Sequence, residues 1–376
     1  MDNVQQIKIS VIIPCYNEEQ FIGQAIGSII EQTHLADEII VVDDGSDDRS
    51  PEIARSFGKS VTVLASGGGG APKARNLGAE YASGNALMFF DADDVMGPHV
   101  LETLAEYLEK YPDGIAACPW FRLEKVDGIW VKRPRSCPPL SGEKDYLDGW
   151  IREIYHPPCS ILWSCTAYER TGGWDPQVTV NQDGDLIMRA MADGTNLRIT
   201  DRGAAYYRRM PEDQLNASQS AGRFTRAGRE SQIFVLLKII KKLEQQDKLD
   251  DYRHSLTITL NKICLHCQDL YPDLAEECRR LIRRFGEPGY LHSAKKIKTR
   301  VKAKVRAGLN RSGRLLNKIG LSGVRKALSR LKNTLNSKDS AAKQKVRSDE
   351  ASPAIGEEIR YGLEACQKAA GKRKGV

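Results

Sequence analysis

The sequence predicts an α/β fold: a mostly parallel sheet with helices on both faces, followed by a C-terminal helical region. Three observations lead there. Short apolar runs alternate with amphipathic helical periods over residues 8–110. Acid-rich turns close two of those runs, at Asp43-Asp44 and at Asp91-Ala92-Asp93-Asp94. Over residues 223–285 the strand signals stop and helical periods alone remain.

Each element has its own signal. Residues 8–14 read as a buried strand ending at Pro14. Asn17 is suited to N-cap the helix that follows, and Phe21, Ile22, Ala25, Ile26, Ile29 and Ile30 fall on one face of it. Residues 38–42 form a second strand, closing in Asp43-Asp44-Gly45-Ser46. Pro51 can start a helix over 51–57. Residues 61–65 form a third strand, and the glycine run 67–70 follows it. A helix over 73–81, a strand over 86–90 and a helix from Pro98 to about Lys110 complete the series. Strand, crossover helix, strand, repeated, is the pattern of a parallel sheet covered on both sides. Beyond Gly114 the pattern loosens. Strands are expected over 115–123 and 129–132, antiparallel to each other, then a Pro-rich loop over 134–139 and a short helix over 186–192.

Composition narrows the class. Of 376 residues, 41% are hydrophobic and 28% charged, which is ordinary for a globular chain and excludes collagen-like, coiled-coil and wholly disordered readings. Every apolar run falls short of the roughly 18 residues that span a bilayer. Residues 1–6 lack a basic region leading into an apolar stretch, so no secretory signal is expected. Nine cysteines, an odd number, then suggest reduced thiols in the cytosol. Cys264 and Cys267 flank His266 in a C-x-x-C spacing, with Cys278 beyond. A zinc site would need a second close pair, which is missing. The helical period of Leu256, Leu260, Ile263, Cys267 and Leu270 favours buried helix cysteines instead.

The net charge of +7 conceals an asymmetry. Residues 288–347 hold 18 Lys or Arg against one acid, Asp339, while the remainder holds 38 bases against 48 acids. Ile297, Val301, Val305 and Leu309 recur every four residues in this segment, and Leu321, Val324, Leu328, Leu331 and Leu335 follow at heptad-like spacing. A cationic amphipathic helix of this kind lies on an anionic membrane surface, and residues 295–335 are expected to do so. A packed or partner helix is the blander reading. Nucleic acid is not expected, because aromatics for base stacking are absent apart from Tyr290.

Chemistry concentrates at the carboxyl ends of the expected strands, where open α/β sheets bind ligands. An acid-lined crevice repels phosphate unless a divalent cation sits between, and hard oxygen ligands suit Mg²⁺ or Mn²⁺. Turn and cap acids would give similar clusters, but two at neighbouring strand ends favour a site. The ordered motifs Ser-Val-Ile-Ile-Pro-Cys-Tyr-Asn-Glu (10–18), Val-Asp-Asp-Gly-Ser (42–46), Lys-Ala-Arg-Asn-Leu-Gly (73–78) and Phe-Asp-Ala-Asp-Asp (90–94) resemble the family 2 glycosyltransferases of GT-A, Rossmann-like fold. Gly-Gly-Trp-Asp (172–175) and Asn-Gln-Asp-Gly-Asp-Leu (181–186) extend the resemblance, which covers about residues 7–221.

The resemblance implies specific roles. Tyr16 would stack on a nucleotide base, with Pro14 and Cys15 against it. Asp44 would accept a hydrogen bond from uracil, and Arg75 would lie near the base. Asp91 would hold the ribose and Asp93 the metal, with Asp94 a weaker metal candidate. Asp183 would take the proton of the acceptor hydroxyl, ionised by its place at a helix N-terminus, while Asp185 would be structural. Two positions depart from the family pattern: Gln182 stands where Glu is usual, and Tyr207-Arg208-Arg209-Met210 ends in Met where a metal-binding His is common. Methionine is a poor ligand for hard cations, so Arg208 and Arg209 become candidates for the diphosphate charge. Trp163 and Trp174 could stack on a sugar or serve the core.

The expected function is an inverting, metal-assisted transfer of sugar from a nucleotide-diphosphate donor, with UDP as the nucleotide, to a glycan or lipid-linked saccharide at the cytoplasmic membrane face. Expected divisions are a catalytic domain over 1–222, a helical region over 223–285, the basic segment over 286–347 and a polar, disordered tail over 348–376. A non-catalytic sugar-nucleotide-binding or assembly subunit of the same fold is the alternative. A dinucleotide-dependent oxidoreductase is disfavoured, because no G-x-G-x-x-G joins the first strand to its helix.

Overall fold

The computed structural model describes residues 6–134, 146–209, 222 and 224–285. A seven-stranded sheet runs in the order β10-β6-β9-β4-β1-β2-β3. Its first strands are β1 (Ile9–Cys15), β2 (Glu38–Asp43), β3 (Thr62–Ala65) and β4 (Ala86–Phe89). All three pairings among them are parallel, as the alternating pattern requires. β1 and β4 present no exposed residue, which explains why they read as unbroken apolar runs. The crossover helices are α1 (Ile22–Ile30), α2 (Ser50–Arg55) and α3 (Ala71–Tyr81). α4 (Val100–Lys110) follows.

α1 buries Ile22, Ala25, Ile26 and Ile29 but leaves Ile30 exposed. Its N-cap is Phe21, not Asn17. Asn17 sits five residues before the helix in left-handed backbone at φ 56°. Its amide donates to Ser46 Oγ at 3.0 Å, and its Oδ1 accepts from the Asp47 amide at 2.8 Å. It ties the loop after β1 to the loop after β2 rather than capping a helix.

The looser region resolves differently from its expectation. What reads as one strand over 115–123 is two, β6 (Ile115–Ala117) and β7 (Trp120–Val126), and they belong to different sheets. β7 pairs antiparallel with β8 (Ile129–Arg133), as expected. A second, four-stranded sheet, β5-β11-β7-β8, adds β5 (Val95–Met96) and β11 (Ala205–Arg209). β9 (Ile161–Ser164) runs antiparallel between β4 and β6, and β10 (Leu197–Ile199) closes the edge. Three helices, α5 (Tyr146–Ile151), α6 (Cys165–Thr171) and α7 (Gln182–Ala192), complete this half. α8 (Arg226–Gln245), α9 (Leu249–Cys267) and α10 (Pro272–Arg284) form the helical region.

α8 packs on α7 and α9 on α5, within one compact unit. Lys238 of α8 reaches Asp175 at 2.5 Å and the buried Asp185 of α7 at 2.8 Å. Cys264, Cys267 and Cys278 are buried on α9 and α10, and burial pushes the Cys267 and Cys278 thiols up. The basic segment and the tail lie outside the described residues. Among the described residues, no helix is long and apolar enough to cross a membrane.

Candidate active site

A cavity of about 440 Å³ opens at the carboxyl ends of β1 and β4. Pro14, Tyr16, Arg75, Asp91, Asp93 and Asp183 all line it, together with residues the sequence did not single out, among them Tyr155 and Thr179. Tyr16 is 53% exposed, an aromatic face held at the rim. Asp44 does not line the cavity. Its two carboxylate oxygens accept from the Ser66 hydroxyl at 2.5 Å and the Gly70 amide at 2.8 Å. The first task of that acid in the free protein is therefore to hold the loop 67–70. All four glycines of that loop have positive φ, between 73° and 129°, a backbone that side-chain-bearing residues rarely adopt.

α3 carries the next pair of groups. The Arg75 guanidinium is nearly buried and lies 4.5 Å from the centre of the Trp174 ring. Its Nη2 donates to Asp91 Oδ1 at 2.6 Å and its Nη1 to Gln182 Oε1 at 3.1 Å. Asn76 beside it fixes the turn that supplies Trp174. Its Nδ2 donates to the Trp174 carbonyl at 2.8 Å, while its Oδ1 accepts from the Trp174 amide and the Tyr168 hydroxyl. Trp163 is a core residue of β9, whereas Trp174 contributes to the cavity wall. Arg75 thus lies between Asp91 and the first turn of α7.

The acids after β4 differ in environment. Asp93 is 6% exposed at the cavity wall. Asp94 is fully buried, accepts from the Arg208 amide at 2.8 Å, and is held well above the usual carboxylate range by burial and by the charges of Asp93 and Asp91. Arg208 is buried too. Its guanidinium lies over the rings of Phe21 and Trp130 and donates to the Asp93 carbonyl and to Gln24. It shapes the loop from behind, so its expected contact with diphosphate has no support here. Arg209 is exposed at the end of β11, and Met210 lies outside the described residues.

Glu18 is the acid that sequence reasoning passed over. Of the neighbouring glutamates, Glu18 lines the cavity and Glu19 pairs with Arg49 at 3.2 Å. Burial, then the charges of Asp93 and Asp91, push the Glu18 carboxyl up to about 8. The same surroundings hold the Tyr207 phenol well above its ordinary value, burial first, so it stays a hydroxyl donor on the cavity wall. Among the described residues, no three His, Cys, Asp or Glu side chains converge to hold a metal ion unaided. The donor set nonetheless fits a divalent cation of the Mg²⁺ type, which takes one or two carboxylates and completes its shell with water and substrate phosphates.

Asp183 occupies the second position of α7, two residues after the N-cap Asn181, whose φ is 69°. The helix position was expected to keep it ionised. Burial instead raises its carboxyl above the usual range, opposed by the Gly184 amide and by Arg75. A raised carboxylate is the stronger proton acceptor once ionised. Asp185, two residues on, is 1% exposed and held by Arg189 at 2.8 Å and by Lys238. Only Asp183 of the two faces the cavity.

With this geometry in place, known proteins can be set beside the chain. Residues 10–172 match the model of Glycosyl transferase family 2. The chain carries a family 2 glycosyltransferase domain. It is 37% identical over 213 residues to the uncharacterized glycosyltransferase EpsJ of Bacillus subtilis, covering 54% of this chain and 61% of that protein. It is 35% identical over 126 residues to the glycosyltransferase GlyA of Streptococcus pneumoniae, covering 33% of this chain and 18% of that one. The matches therefore span less than two thirds of these curated relatives. Among solved structures, S. aureus TarS 1–349 in complex with UDP-GlcNAc aligns with a TM-score of 0.54 at 16% identity, over 74% of this chain and 89% of that one. The mannosyltransferase PcManGT of Pyrobaculum calidifontis, in complex with GDP-Man and Mn²⁺, aligns with a TM-score of 0.52 at 19% identity, over 80% and 81%. At such identity these likenesses concern the fold, and both neighbours have that of this glycosyltransferase domain.

Proposed function

We propose that the chain transfers a sugar from a nucleotide-diphosphate donor, with UDP as the nucleotide, to a hydroxyl of a glycan or lipid-linked saccharide, inverting the anomeric carbon. One observation carries this reading: four motifs far apart in sequence bring Tyr16, Arg75, Asp91, Asp93 and Asp183 to one cavity. Tyr16 and Pro14 would bound the base, and Asp91 the ribose. Asp44 would take the uracil N–H by exchanging one of its loop contacts. Asp93 would hold a divalent cation, which supplies charge neutralisation at the departing diphosphate. Asp183 would orient the acceptor hydroxyl and accept its proton, a step worth about 10²- to 10⁴-fold in rate. A single attacking oxygen opposite the leaving group inverts configuration, and Asp183 is the one carboxylate this scheme needs at the carbon.

The sequence-based division into a catalytic domain, a helical region and a basic segment remains our proposal for how the chain is organised. The basic segment 295–335 would hold the enzyme against an anionic membrane on its cytoplasmic face, close to a lipid-linked acceptor. Calorimetric titration of UDP, GDP, CDP and dTDP, with and without Mn²⁺, tests the donor reading. UDP binding that needs Mn²⁺ and is lost in Asp93→Ala is the expected result. Nucleotide binding without transfer would turn the reading toward a non-catalytic sugar-nucleotide-binding subunit, and absence of binding under every condition toward an assembly subunit of the same fold.

A further inference from the structure

We infer that Gln182 is a positioning residue that locks Arg75 onto Asp91, and that this site is built for glutamine rather than for glutamate. The inference rests on reading the cavity as the donor site. Both ends of the Gln182 amide are engaged. Its Oε1 accepts from Arg75 Nη1 at 3.1 Å, and its Nε2 donates to the Thr179 carbonyl at 3.4 Å. The second contact is long, but it fixes which end of the amide faces the arginine. Arg75 is then held on three sides: by Gln182, by Asp91 at 2.6 Å and by the Trp174 ring at 4.5 Å. Its Nε is buried with no hydrogen-bond partner, so the side chain has no fourth anchor.

A glutamate at 182 would keep the shape and change the chemistry. It would have no N–H for the Thr179 carbonyl, leaving a carboxylate oxygen facing a carbonyl oxygen. It would also compete with Asp91 for the one guanidinium that lines this cavity among the described residues. The neutral amide holds Arg75 without that competition, so the full ion pair goes to Asp91. Asp91 thereby keeps a fixed orientation toward the donor. Gln182 acts through Arg75 and Asp91 and need not touch the reacting atoms.

Two measurements test this. The first needs no turnover: thermal unfolding of the full chain without nucleotide, for wild type, Arg75→Ala, Gln182→Ala and the double variant. The double variant is expected to lose less than the sum of the single losses, by roughly 3 °C or more. Additive losses would overturn the coupling, whatever the enzyme transfers. The second is kinetic and uses Gln182→Glu and Gln182→Met. Both are expected to raise donor KM roughly tenfold, Gln182→Met by losing the hydrogen bond to the charged Arg75 and Gln182→Glu by drawing Arg75 away from Asp91, with acceptor KM within about twofold. A merely structural role would reduce the amount of active enzyme and leave KM alone. Donor KM unchanged in both variants overturns the inference. If no transfer by the wild type is found, the functional reading fails while the unfolding result still decides the coupling.

Discussion

Single carboxylates in this cavity have unequal tasks, and their surroundings set the difference. On the proposed mechanism, Asp183→Asn removes the proton acceptor while keeping the side chain's size. Transfer is expected to fall by about 10²- to 10⁴-fold with nucleotide binding retained, as steady-state kinetics beside calorimetry would register. Equal turnover would remove Asp183 from the chemistry. Glu18 gives a pH signature. Its carboxyl is raised to about 8 in the folded chain, against an ordinary value of 4.5. Between those values the folded state holds a proton that the unfolded state has released, so stability falls as pH rises. Glu18→Gln removes this penalty. The variant should be more stable than wild type at about pH 9, by roughly 1–2 kcal/mol after allowance for solvent screening, and should converge with it near about pH 5. Urea denaturation across that range would reveal it, and parallel curves for the two proteins would count against it. Added Mn²⁺ is expected to shrink the difference, since a cation held by Asp93 as proposed would offset the same repulsion.

The elements explain what was legible in the sequence and what was not. β1 to β4 were readable because each is a short apolar run bounded by a turn signal, and local patterning suffices for a parallel sheet core. The split between β6 and β7 was not readable: Cys118 and Pro119 interrupt the run only slightly, and sheet membership depends on distant partners, Ile161–Ser164 for β6 and Ala205–Arg209 for β7. The site followed the same rule. Asp91 and Asp93 stood out as acids at a strand end and Asp183 through the family resemblance, and all three line the cavity, whereas the Arg75–Gln182 contact joins residues 107 apart and has no local signal. Asn76 shows what such contacts are worth. Asn76→Ala would strip Trp174 and Tyr168 of three hydrogen bonds and leave buried groups unpaired, a loss of about 2–4 kcal/mol, measurable as a lower urea midpoint. Gly78 fixes the other side of α3. A Cβ there would come within 2.4 Å of Ile12 Cγ2 on β1, so Gly78→Ala is expected to destabilise by about 1–3 kcal/mol through overpacking. An unchanged midpoint in either variant would mean that α3 has more freedom on the sheet than its contacts imply.

At the scale of the whole molecule, charge separates a body from an extension. Residues 288–347 hold 18 Lys or Arg and one acid, against an acidic remainder. A basic residue near an anionic bilayer contributes about 1 kcal/mol, so engagement of even a third of these would hold the chain on the surface without a spanning helix. Apolar residues at four-residue and heptad-like spacing would add the buried face that separates interfacial binding from loose counter-ion attraction. The two contributions can be told apart. Flotation of the full chain is expected with vesicles containing phosphatidylglycerol and not with phosphatidylcholine alone. Salt should weaken it only in part, because screening acts on the charges and not on the apolar face. Truncation after Phe285 should abolish it. Complete release by salt would reduce the segment to an electrostatic tether, and undiminished flotation of the truncated chain would move the membrane contact to the body. An acceptor carried on lipid would make the attachment kinetic as well as spatial. Truncation should then raise the apparent KM for a vesicle-borne acceptor while leaving that for a soluble sugar acceptor unchanged.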